Sequence, residues 1–230
     1  MSLCALPEAQ GLYDPANEHV ACGVGFVCNI KNVKSRRIVE QGLELLVHLT
    51  HRGAVGADPR AGDGAGILVQ IPDAFFRAQV GFELPPAGRY GVGMAFLPQD
   101  PARRDEVQEI IERHLAEGGR RLLGWRDVPV DSSVLGESVL DSEPFIRQVF
   151  VAPAADCPDQ DAFERALFVV RKRIDNAVRS AGYGQTAHYF ASLSSRTIVY
   201  KGMLLADQVG GYYKDLHDPR FDSALALVHQ

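Results

Sequence analysis

The sequence predicts an α+β fold in which a largely antiparallel sheet core carries helices on its outside. Segments that read as strands outnumber those that read as helices, and several follow one another with no helix between them, which a doubly wound parallel sheet does not allow. The helical segments each show a single apolar stripe, the pattern of a helix that covers a sheet on one side and meets water on the other.

Taken in order, residues 22–30 are small, apolar or β-branched and read as a first strand. In "RRIVEQGLELLVHLTHRG", Val39, Leu43 and Leu46 fall at helical spacing, Ile38, Leu45 and Leu49 widen the stripe, and Gly53 breaks it. "GILVQIP" and "YGVGMAFLP" read as buried strands separated by a short turn of helix, "DAFFRAQV", and the connection "ELPPAGR". Asp100 before Pro101 is a helix start, because the carboxylate can cap free amides where proline needs no donor; Val107, Ile110, Ile111 and Leu115 continue that helix on one face. "RRLLGWRDVPV" and "FIRQVFVAP" read as strands on either side of a loop at 131–144. The clearest helix places Phe163, Ala166, Leu167, Val170, Ile174, Ala177 and Val178 on one face. "HYFASLS" and "TIVYKGM" read as a strand pair, and "SALALVHQ" as a last strand, where the chain looks cut.

With 230 residues, 46% hydrophobic and 23% charged, the chain can bury a sizeable core as one domain or a large part of one. A net charge of -5 supplies no basic field, so nucleic-acid and membrane-surface partners are disfavoured. Residues 1–21 lack an export pattern and no later run is long and apolar enough to span a bilayer, so a soluble, cytoplasmic protein is expected. Its four cysteines, Cys4, Cys22, Cys28 and Cys157, are then expected to be reduced thiols.

Cys22 opens the first strand with no partner at metal-ligand or redox spacing. Two readings stand for it. It is a buried structural thiol; or cleavage of the Ala21–Cys22 bond gives it an α-amino group, pKa about 7.7 to 8.0, able to serve as base for its own thiol. "HRGAVGADPRAGDGAGI" is a polar, glycine-rich loop that reads equally as a solvent-facing turn or as the wall of a pocket. It fails as a dinucleotide fingerprint, since Ile67 stands where a third glycine is needed and a strand follows. A metal site from His48 and His51 with Asp58 and Asp63 is the weaker reading: His48 lies within an apolar stripe, and His51 beside Arg52 suits a helix terminus. Trp125, Tyr189, Phe190, Tyr212 and Tyr213 read as core or packing residues.

Three stretches in order, "CGVGF" at Cys22, "HRGAVGADPRAGDGAGILVQIP", and "YKGMLLADQVGGYYKDLHDPRFDSALALVHQ", resemble the amino-terminal glutamine amidotransferase domain of the glutamate synthase large chain, over residues 22–230. The resemblance implies a four-layer αββα sandwich of two antiparallel sheets, incomplete at its C-terminal end. It also implies a propeptide at 1–21 and Cys22 as the nucleophile that opens glutamine through a thioester. Arg52 and Gly53 match the family's Arg-Gly pair beside the nucleophile. It implies no cofactor or metal in this chain, FMN and an iron–sulfur cluster in the synthase domain of the parent, 2-oxoglutarate as ammonia acceptor there, and a small reductase subunit as a further partner. The family places its carboxylate-clamping arginine just after "LVHQ" and its Asn-Gly oxyanion hole further on, so the 230-residue chain alone is expected to be nearly inactive. Rival readings are an amidotransferase for another acceptor and a non-catalytic interaction fragment with Cys22 structural.

Overall fold

The computed structural model describes residues 10–11, 22–53, 58–183 and 188–230. Cys4, the expected leader apart from residues 10–11, its cleavage point after Ala21, and residues 54–57 of the glycine-rich loop lie outside the described residues. Eight strands, β1 (Val24–Cys28), β2 (Ala65–Gln70), β3 (Gly91–Leu97), β4 (Arg121–Asp127), β5 (Phe145–Ala152), β6 (Tyr189–Ser194), β7 (Thr197–Gly202) and β8 (Leu225–His229), form two antiparallel four-stranded sheets in the orders β1-β8-β2-β7 and β4-β5-β3-β6. This is the α+β, two-sheet architecture the sequence predicts.

Six α-helices accompany them: α1 (Arg36–His48), α2 (Asp73–Gln79), α3 (Pro101–Glu117), α4 (Glu137–Leu140), α5 (Gln160–Ser180) and α6 (Gln208–Tyr212). α3 starts where the sequence says it should, with the Asp100 carboxylate accepting the Arg103 amide at 2.9 Å and Pro101 in the first turn. Asp159 caps α5 in the same way through Ala162, at 2.7 Å. One face of α5, Phe163, Leu167, Val170, Ile174 and Val178, meets Val107, Ile111 and Leu115 of α3 over Ala95, Leu97, Val149 and Val151 of the second sheet.

The other face of that sheet presents Val92, Met94, Ile146 and Phe150 to a second core, shared with Ile67, Val69, Tyr200, Ala226 and Val228 of the first sheet and with Ile38, Val39 and Leu46 of α1. Gly42 lets α1 sit close to β8, since a Cβ there would lie 2.6 Å from that of Ala226. A buried polar network joins the sheets through this core. Arg126 of β4 donates to both carboxylate oxygens of Asp215 at 2.8 and 2.7 Å and to Gln148 of β5 at 2.8 Å; the Tyr200 hydroxyl of β7 donates to Asp215 at 2.9 Å.

Four expectations are corrected. β6 and β7 do not pair with each other; β6 joins β3 and β7 joins β2. The turn between them is clasped by Glu164 of α5, which accepts from Ser194 Oγ, Ser195 N and Ser195 Oγ at 2.9, 2.5 and 2.6 Å, and Ser192 Oγ takes the Val199 amide at 3.1 Å. Side chains thus replace the ladder and release the chain from one sheet to the other. The first strand stops at Cys28, and Ile30 lies exposed in the turn that follows. His48 is exposed at the end of α1, outside the buried stripe of Ile38, Val39 and Leu46. Tyr189 is likewise exposed, its ring lying under the Lys201 ammonium and beside Phe96.

Candidate active site

Two chain segments bring the first strand and the last together. Gly23 and Gln230 exchange both backbone hydrogen bonds, Gly23 N to Gln230 O at 2.6 Å and Gln230 N to Gly23 O at 2.8 Å, which extends the β1–β8 ladder to the residue after Cys22. Cys22 is therefore held at the mouth of an ordered strand while its free thiol stays exposed. A buried structural cysteine is not what the fold provides.

The Arg-Gly pair arrives from α1. Beyond His48 the chain tightens into a 3-10 turn over Thr50–Arg52, in which Thr50 Oγ1 donates to Val47 O at 2.5 Å and the amides of Arg52 and Gly53 bond back to Leu49 and Thr50 at 2.7 and 3.3 Å. This turn delivers the stem of Arg52 onto the flat side of Gly23: a Cβ on Gly23 would lie 3.0 Å from the Arg52 Cβ and 3.3 Å from that of Leu49. Only a residue without a side chain admits that approach. Gly53 in turn faces the side-chain amide of Gln230, which occupies the place where a Cβ at 53 would stand. Cys22–Gly23, Arg52–Gly53 and Gln230 thus meet at one corner of the first sheet. The sequence marks the first two pairs as candidates; for Gln230 the only signal it carries is the "LALVHQ" segment that ends on it.

The second half of the glycine-rich loop is built as a wall. Asp58 accepts from Arg60 N at 2.9 Å and from Ser138 Oγ at 2.8 Å, and these bonds hold its carboxyl below the usual range. Gln208 ties the loop to its neighbours by donating to Arg60 O and Val134 O, both at 2.9 Å. Gly62 lies against the backbone of Leu204, and Gly64 takes φ 137°, a conformation that favours glycine. A cavity of about 530 Å³ opens beside this wall, lined by Asp63, Gly64, Gly66, Lys201, Met203 and His229 among others. Asp63, Gly64 and Gly66 at the strand end of the loop border this cavity, while Pro59 and Arg60 face solvent. Cys22 does not line this cavity, whereas His229, which pairs with Val24, does.

Among the described residues no group of three His, Cys, Asp or Glu side chains is placed to hold a metal ion, so His48 and His51 do not combine with Asp58 and Asp63. Nor is any described helix long and apolar enough to cross a membrane.

Comparison with known proteins decides the family. The profile of the glutamine amidotransferases class-II matches residues 22–230, beginning at Cys22 itself. The chain belongs to the class-II glutamine amidotransferases. Similar proteins include the "Glutamate synthase [NADPH] large chain" of Bacillus subtilis, 47% identical over 230 residues, all of this chain and 15% of that one. The "Ferredoxin-dependent glutamate synthase 1, chloroplastic/mitochondrial" of Arabidopsis thaliana is 40% identical over 97% of this chain and 14% of its own length. The "Glutamate synthase [NADH]" of Schizosaccharomyces pombe is 41% identical over 98% of this chain and 11% of its own. This amidotransferase chain therefore spans no more than 15% of the relatives it matches.

Proposed function

We propose that this class-II amidotransferase chain is the glutaminase part of a glutamate synthase and that Cys22 is its nucleophile. The observation that carries the reading is the corner at which an exposed Cys22 thiol, the Arg52–Gly53 turn and Gln230 meet. The start of the family match at Cys22 supports removal of residues 1–21 as a propeptide.

Removal frees an amine on the same residue as the thiol, and an amine of pKa about 7.7 to 8.0 is well matched to take up and return a proton near neutral pH. The sulfur then attacks the side-chain carbonyl carbon of glutamine; the carbon–nitrogen bond breaks, and the amine delivers the thiol proton so that nitrogen leaves as ammonia. Water opens the γ-glutamyl thioester to glutamate and restores the thiol. The stem of Arg52 packs on Gly23, the residue after the nucleophile.

Ammonia would then pass to 2-oxoglutarate in the synthase domain of the parent protein, where FMN and an iron–sulfur cluster supply the reducing chemistry. The parent's synthase domain and a small reductase subunit are the partners on this reading, with reduced thiols in the cytoplasm as the setting.

Two measurements test it. The intact mass of the purified chain should correspond to a product that begins at Cys22; retention of Met1 or Ser2 would speak against a processed nucleophile. In the parent protein, Cys22→Ala should lower glutamine turnover at least ~100-fold while Cys28→Ala leaves it in place. Equal turnover in Cys22→Ala would overturn the assignment of the nucleophile.

A further inference from the structure

The corner around Cys22 contains a residue that neither the nucleophile nor the Arg-Gly pair accounts for. Gln230 is only 6% exposed, and its Oε1 is buried without a hydrogen-bond partner among the described residues. A glutamine kept for structure alone is expected to satisfy its carbonyl oxygen, since an unpartnered buried acceptor loses its hydration with nothing in return. Its amide is instead wedged against Gly53, while its backbone is bonded on both sides to Gly23. Gln230 is thus the one described residue that grips the strand of the nucleophile with its backbone and the Arg-Gly turn with its side chain.

We infer that Gln230 is a positioning residue of the nucleophile site, whose amide fills the space kept open by Gly53 and so fixes the Arg52–Gly53 turn against the Cys22–Gly23 strand end. The inference rests on the reading of Cys22 as nucleophile for its function, though not for its geometry. It explains why position 53 is glycine although its φ of -91° is open to any residue: the constraint is the occupant across from it. Of the charged or titratable groups at this corner, Arg52 comes from the turn after α1, and His229 projects from the opposite face of β8.

The test is iodoacetamide alkylation of Cys22 across pH 6 to 9 in the full chain, followed by peptide mass spectrometry, with exposed Cys28 at the far end of β1 as internal reference. Gly53→Ala should change the Cys22-to-Cys28 rate ratio about fivefold at neutral pH, and Gln230→Ala about threefold. The double variant should return to the value of Gln230→Ala, because the clash exists only while both partners are present. Gln230→Glu preserves the shape but sets a carboxylate against Gly53, on a residue whose backbone pairs with the neighbour of Cys22. It should raise the midpoint of the Cys22 profile by about half a unit or more and leave Cys28 in place, a change that a merely structural role would not produce. Additive effects of the two substitutions, or an unmoved Cys22 midpoint in Gln230→Glu, would overturn the inference. Should a glutamine-like electrophile label Cys22→Ala as well as the parent chain, the nucleophile reading fails, and the coupling of Gly53 to Gln230 still decides the positioning claim.

Discussion

His188 is buried under α5, against the ring of Phe190 and 4.0 Å from Asp175. Burial is the main cause that lowers its pKa, to about 4; the Phe96 backbone opposes the shift, and the positive charge of Arg171 adds to it. The folded chain therefore holds this imidazole neutral where the unfolded chain would protonate it. Stability contributed by the neutral ring is full above about pH 6.5 and is lost as pH falls from there toward 4, by on the order of 3 kcal/mol. Urea titrations at pH 7 and pH 5 should show about 2 kcal/mol of that loss, and His188→Phe should flatten it; a loss of the same size in the variant would assign it elsewhere. At this scale Cys22, Arg52 and Gly53 were legible from residue types in a specific motif. Gln230 and His188 were not, because their significance lies in what packs on them from distant parts of the chain.

Helices were legible with their caps, since periodicity and capping are local. Replacing the cap of α3, Asp100→Ala, should cost about 1 kcal/mol and lower Tm by about 2 to 4 °C in calorimetry. The partners of β6 and β7 were not legible: period-two alternation tells which side chains share a face but not which strand lies alongside. What separates β6 from β7 is the Glu164 clasp on Ser194 and Ser195. Glu164→Ala leaves the Ser195 amide and hydroxyl without that acceptor, and we expect it to cost about 1 to 3 kcal/mol. Equilibrium urea unfolding should show a lower midpoint at unchanged m. An unchanged midpoint would mean the crossover is held by the strands alone.

The molecule as a whole is tied through the Arg126–Asp215 pair, in which both partners are nearly out of solvent. Removing one member strands the other's charge, so Asp215→Ala should destabilise by about 3 to 5 kcal/mol, whereas replacing both by apolar residues of similar volume should cost much less. The two-sheet architecture was legible, but the exposure of the β1 end of one face of the first sheet was not. Val24 and Phe26 on β1 are 61% and 66% exposed, with Leu227 beside them on β8. Alternation marked these positions as apolar, yet burial depends on what covers the sheet: Phe96 and Tyr189 share a cavity with Leu68 and Val199 on this face, and nothing described covers Val24 and Phe26. An exposed row of this kind favours self-association, so Phe26→Ser should shift the 230-residue chain toward monomer in sedimentation without lowering its Tm. That same sheet carries Cys22 at its corner, and the account depends most on what this sulfur does. Incubation with a glutamine-like electrophile, followed by peptide mass spectrometry, reads it directly. The predicted result is a single adduct on a Cys22 that bears a free amino terminus, kept in Cys28→Ala and lost in Cys22→Ala; adducts spread equally over Cys22, Cys28 and Cys157 would contradict it.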